Sequence, residues 1–259
     1  MYFKSTRFKI NRLLAGLPFC LMLGFSSAIS AALIDNGNGL IYDTELNITW
    51  SRDANLLGTL ELNNPNVVSR ILSANNNVIY DLPNAYDNNS GVYGLSMFKD
   101  FFPGGRVDWF GAQAFVGYLN SIDYKGSNQW CLPSTPVAAQ MQGYYLTGSD
   151  MGQLFYNELG GAGGNSITAY HNSNYTLFSN IQNDGYWSEK EYETNPVLAW
   201  MFDASAGSHA SLYKGSPYYT WVVAPGNVGA VPIPGAMWLF GSCLACFIGF
   251  NRRKSTFLL

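Results

Sequence analysis

Three carboxylates alternate along one short stretch, at Glu189, Glu191 and Glu193. Glycoside hydrolysis needs two carboxyl groups on opposite sides of a cleft. Three on one face of a strand describe a solvated edge instead, and that is the expectation here. The two histidines, His171 and His209, both sit in polar, loop-like contexts. Neither belongs to a Gly-x-Ser-x-Gly elbow or a His-Glu-x-x-His helix, so no nucleophilic or zinc-hydrolase constellation is marked. The Gly160–Gly164 run lacks the Lys-Ser/Thr of a phosphate loop and reads as a flexible connection. No cofactor is expected. Asp35, Asn36, Asn38 and Asp43 offer hard oxygen ligands around a glycine turn, the donor set calcium takes. The same residues equally suit tight-turn geometry without any metal.

Aromatic side chains are the larger resource, with 16 Phe, 17 Tyr and 7 Trp. Trp109, Trp130, Trp187 and Trp200 read as core. Tyr144, Tyr145, Tyr170, Tyr175, Tyr213, Tyr218 and Tyr219 lie among Gly, Asn and Ser, where a tyrosine can stack on a sugar and hydrogen-bond it. Tyr213, Tyr218 and Tyr219 are the candidate ligand contacts, with ordinary packing at strand ends as the alternative.

These residues need a scaffold. Leu40–Tyr42 and Leu46–Trp50 alternate with period two around a turn and predict a hairpin. Residues 55–105, rich in asparagine, read as an irregular surface insertion. Asp108 caps a predicted helix whose apolar face is Ala112, Phe115, Val116 and Leu119. A second helix is expected from Thr147, with Asp150 as its capping partner and Met151, Leu154, Phe155 and Leu159 facing the core. Strands are expected at 186–188, 197–202, 210–213 and 218–223. The whole predicts an α+β domain, two helices on a twisted, mainly antiparallel sheet.

The ends of the chain differ from this body. Four of the 14 basic residues precede residue 13 and three more form Arg252-Arg253-Lys254. All 17 acidic residues lie between, against seven basic ones, so the body carries about −10. Nucleic acid and anionic surfaces are excluded as expected partners. A basic start, an apolar run from Leu13 to Phe25 and small residues up to Ala32 form the layout of a secretory signal peptide over residues 1–32. Cys131 is then the lone body cysteine and cannot form an internal disulfide; a buried thiol is the expectation.

The tail, residues 230–259, joins Val231-Pro232-Ile233-Pro234 to an apolar segment and the basic cluster. Val231 to Phe250 is 20 residues, roughly 30 Å as a helix and long enough to span a bilayer. A transmembrane helix over 234–250 is expected, stopped by Arg252, Arg253 and Lys254. The tail resembles the PEP-CTERM sorting signal of Gram-negative bacteria, in its Val-Pro-hydrophobic-Pro form followed by Trp238-Leu239-Phe240-Gly241-Ser242. That resemblance implies export across the inner membrane, an exosortase-type enzyme as partner, and release to the cell surface or matrix; a permanent anchor is the alternative.

Within 33–229 a second resemblance runs along most of the body. Asp35-x-Gly37-x-Gly39, Asp43-Thr44 and Trp50 come first, then Trp109-x-x-Ala112 and Trp130-Cys131-Leu132-Pro133-Ser134. Tyr186-Trp187-Ser188, Trp200 and the closing strand Tyr218–Gly226 complete the order. This pattern resembles the Lcl C-terminal domain, a bacterial extracellular domain of unknown function similar to C-type-lectin-like folds. Cys131 and Ala224 stand where that family commonly has arginine. The resemblance to adhesins implies glycan binding, and the acidic body favours a neutral glycan or exopolysaccharide over a sulfated one. A structural matrix protein without a small ligand, or a hydrolase, are the other readings.

Overall fold

The computed structural model describes residues 33–229, except 137 and 139. The expected signal peptide, the Val231–Pro234 motif, the helix expected over 234–250 and the basic cluster all lie outside the described residues. No helix among the described residues is long and apolar enough to cross a membrane.

The domain is α+β, with two four-stranded antiparallel sheets. The first orders β1 (Leu33–Asp35), β2 (Leu40–Asp43), β3 (Ile48–Ser51) and β12 (Val223–Pro225), so the last strand of the body pairs with β3 of the N-terminal hairpin and β1 and β12 form the two edges. The second orders β8 (Gly143–Tyr144), β11 (Ser208–Tyr213), β10 (Leu198–Asp203) and β9 (Gly185–Glu191). The expected hairpin is β2–β3, and Asp43 holds its turn by accepting from the N–H groups of Glu45 and Leu46.

Residues 55–105 depart from expectation. Instead of an irregular insertion they form α1 (Leu56–Asn63), α2 (Val67–Ala74), the hairpin β4 (Val78–Tyr80)–β5 (Val92–Gly94) and strand β6 (Phe101–Phe102), which pairs with β7 (Arg106–Val107). The described residues therefore form four α-helices rather than two. The asparagines are turn formers: Asn76, Asn77, Asn88 and Asn89 all take positive φ, which a short polar side chain tolerates. Asn75 donates to the carbonyls of Ile71 and Ala114, fastening α2 to α3 (Trp109–Ser121).

Asp108 caps α3 as expected, accepting from the Gly111 N–H at 2.7 Å. Helix α4 (Asp150–Gln153) begins later than predicted. Its cap is Ser149, which accepts from Gly152 N–H, and it continues as a π-turn through Leu154–Glu158. Asp150 is not a box partner for Thr147; its carboxylate accepts from the Ser134 N–H at 2.7 Å. The closing segment is also shorter than expected. Tyr218 and Tyr219 make single bridges to Val107 and Tyr186, and regular strand resumes only at Val223.

Two apolar clusters fill the interior. One joins α1, α2 and α3 to Trp130 and Trp187; the other gathers Trp50, Trp221, Phe155 and Tyr186 around α4. The indoles are wedged by their own donors: Trp109 to Ser188, Trp187 to Val107 and Trp221 to Ser51, all onto carbonyl oxygens at 2.9–3.1 Å.

Asp100 and Asp108 are both buried, and both carboxyls are raised above the ordinary range. Desolvation raises both, and for Asp108 the neighbouring Asp100 charge adds to it. The native state thus holds a proton that the unfolded chain gives up in the ordinary carboxylate range. Its stabilisation is complete below that range and is lost as pH rises toward the folded-state value. Asp108→Asn keeps a good cap and removes the titration. Melting curves between pH 5 and 9 should fall with pH for the native protein and run flatter for the variant; equal slopes would refute the raised Asp108 carboxyl.

Candidate ligand-binding groove

Helix α1 borders two hollows that meet at Glu61. One, of ≈ 290 Å³, lies between Asn55, Thr59, Leu62, Gly104, Asn180 and Gln182. The other, of ≈ 390 Å³, continues along Asn64, Val68, Met97, Phe102 and Pro103. Their sizes suit one sugar residue each within the usual range of small-ligand sites.

Asp53 organises the polar hollow. Its carboxylate accepts from the Asn55 N–H at 2.9 Å, the Thr59 hydroxyl at 2.5 Å and the Asn180 amide at 3.0 Å. Asn55 caps α1 through Gly58 N–H and donates to the Gly104 carbonyl, so the helix start and the β6–β7 loop are tied together. Asn180 reaches the hollow because it adopts positive φ, and the Ser179 N–H is anchored on the Arg52 carbonyl. Glu61 accepts from the Gly105 N–H through Oε2, and burial raises its carboxyl above the ordinary range. Glu61, Asn180 and Gln182 line this hollow together and carry carboxylate and amide oxygens that can accept from a ligand. Phe102, Met97 and Leu62 supply apolar surface beside them. No lysine or arginine lines either hollow, so a polyanion finds repulsion there and a neutral polyol does not.

The tyrosines expected to bind ligand are not brought together. Tyr213 is 63% exposed at the end of β11. Tyr218 is half-buried with its ring edge-on to Trp187 at 5.3 Å, and Tyr219 lies against Tyr186 in the other cluster. None lines the groove. Tyr144, Tyr145 and Tyr170 are exposed, and Tyr145 stacks on Tyr156.

The calcium candidates each have protein partners. Asp35 pairs with Arg52 at 3.0 Å and accepts from the Gly37 N–H. Asn36 donates to Asn227 and Val228, and Asp43 takes the turn N–H groups and the Trp50 indole. The Asn38 amide lies against Gly229. No metal-ligating group of three His, Cys, Asp or Glu occurs among the described residues.

His209 meets Ser149 at 2.6 Å, a pair the sequence did not mark. Both are buried, the Ser149 hydroxyl is held by the Gly152 N–H, and burial lowers His209 to about 4. Neither residue lines the hollows around α1. Cys131 is half-buried and free, its thiol pushed up to about 12 by burial and by the Glu189 and Asp150 carboxylates. The neighbouring Asp150 is raised to about 6 by burial, with Glu189 and Asp43 adding to it. This acidic pocket is where the resemblance places an arginine, and Cys131 supplies no charge to balance it.

The glutamate alternation is not a solvated edge throughout. Glu193 is exposed, whereas Glu191 turns inward to the Lys214 ammonium at 2.7 Å.

The family model described as the Lcl C-terminal domain matches residues 39–224. No curated protein and no solved structure matches the chain.

Proposed function

The chain belongs to the Lcl C-terminal domain family, and from there we propose that it is an exported, non-catalytic module that binds a neutral glycan in the groove beside α1. The observation that carries this reading is the row of acceptors at Glu61, Asn180 and Gln182 next to Phe102 and Met97, with no basic side chain among them. Amides and carboxylates held at fixed positions match sugar hydroxyls, and the apolar wall matches the C–H face of a pyranose. Against catalysis stand the sealed Ser149–His209 pair and the commitment of Asp53 to three donors. A C-type-lectin-like role in surface adhesion or matrix attachment is consistent with this.

A glycan array probed with the purified protein tests the reading. Retention of neutral oligosaccharides or exopolysaccharide, with sulfated glycans unretained, is the expected result. Glu61→Ala and Asn180→Ala should each weaken binding about tenfold, about 1.4 kcal/mol, without loss of fold. An array with no retained glycan would favour a purely structural matrix protein.

The route belongs to the same proposal. Residues 1–32 direct export, and the tail serves an exosortase-type enzyme after transient membrane insertion. Mass spectrometry of extracellular protein from an exosortase-positive host should show no peptide beyond about Pro234. An intact C-terminus in that material would refute processing.

A further inference from the structure

We propose that Lys214 and Asp81 become joined by an intramolecular amide bond, formed by the folded domain itself with Glu191 as proton relay. Lys214 Nζ lies 2.6 Å from Asp81 Oδ2 and 2.7 Å from Glu191 Oε2. The side chains of Lys214 and Asp81 are both 0% exposed. Nζ also sits 4.6 Å from the ring centre of Trp109 and 5.3 Å from that of Phe110. An amine and a carboxyl group in contact, away from water, beside a second carboxylate, is the arrangement in which condensation replaces ion pairing.

The surroundings also distinguish the two carboxyl oxygens of Asp81. Oδ2 accepts from the Asn84 amide at 2.7 Å, which polarises the carbonyl and would hold the oxygen of the product amide. Oδ1 is buried with no hydrogen-bond partner, so it is the oxygen free to depart. Burial raises the Asp81 carboxyl above its ordinary range, so its oxygen takes up the protons that the reaction delivers.

The atoms balance without any co-reactant. Glu191 takes one proton from the Lys214 ammonium, and the freed amine attacks Asp81 Cγ. A second proton leaves nitrogen as the tetrahedral centre collapses. Both protons end on the departing Oδ1, which leaves as water, and Glu191 returns to a carboxylate. One N–C bond forms, one C–O bond breaks, and the third ammonium hydrogen stays on the amide nitrogen. Two buried charges disappear.

The bond would tie residue 81, just after β4, to residue 214, just after β11. It would give a covalent brace to a domain whose described cysteine is unpaired. This inference does not depend on the glycan reading.

Tryptic digestion of the purified protein followed by tandem mass spectrometry decides it. The expected product is one branched peptide containing Asp81 and Lys214, lighter by one water than its two parts and uncleaved at Lys214. Asp81→Asn should give the same link with loss of ammonia. Glu191→Gln, checked for folding by circular dichroism, should give two unlinked peptides; a linked Glu191→Gln would overturn the relay. Unlinked peptides of unmodified mass from the native protein would overturn the bond.

Discussion

Trp130→Ala should abolish most of the soluble, folded domain. The indole is 2% exposed. It donates to the Tyr124 carbonyl at 2.8 Å and stands edge-on to the Tyr124 ring at 5.6 Å. Its backbone is clamped by Asn120, which both accepts from its N–H and donates to its carbonyl. One residue on, the Cys131 backbone pairs with Val223, so the same segment joins α3 to the first sheet. Truncating a buried Trp costs ~3–5 kcal/mol, against the ~5–15 kcal/mol that holds a typical domain. Circular dichroism and melting curves check this. Tyr213→Ala, at an exposed strand end, should melt like the native protein; Tyr218→Ala should fall between them because its ring packs on Trp187. A Trp130→Ala protein with native melting would place the indole outside the structural core.

Lys214→Met should be nearly as damaging, for an electrostatic reason. The variant fills the space of the side chain but leaves Asp81 and Glu191 facing each other without their cation. Removing one partner from a buried ionic cluster costs ~3–5 kcal/mol, because the remaining charges stay desolvated. Asp81 must then either hold a proton or drag water inward. The loss should be partly recovered at low pH, where both carboxyls are neutral, or by adding Asp81→Asn to the variant. Chemical denaturation of the native, single and double variants measures it. A Lys214→Met protein as stable as the native one would mean that the lysine contributes nothing in either its ionic or its bonded state.

The parts of this fold that were readable in sequence share one property: a strict period next to an unambiguous cap or turn. The β2–β3 hairpin has alternating apolar residues around the Asp43 turn, and α3 has Asp108 ahead of an apolar stripe. Helices α1 and α2 have only eight residues each, and the asparagines between and after them mask the stripe. An asparagine run signals irregularity only if it is not serving left-handed turns, and here it is. For α4, Thr147 and Ser149 are both acceptable caps; tertiary contact of Asp150 with Ser134 decides between them.

The groove was illegible for a different reason. Its walls come from α1, the β6–β7 loop and residues 180–182, which only the folded chain brings together. Lys214 was equally silent. A single lysine at a strand end looks solvated, and its partners are 133 and 23 residues away. The candidate tyrosines have loop-like sequence surroundings, yet Tyr218 and Tyr219 lie in a segment whose irregular backbone is nonetheless packed on both clusters.

Hydrogen exchange with and without a saturating neutral oligosaccharide retained on the array tests the groove most directly. Protection concentrated in α1, residues 101–105 and residues 180–182 is the expected result. Protection centred instead on Tyr213, or on the exposed Tyr144–Tyr145 loop, with none along α1, would contradict a binding site in the groove.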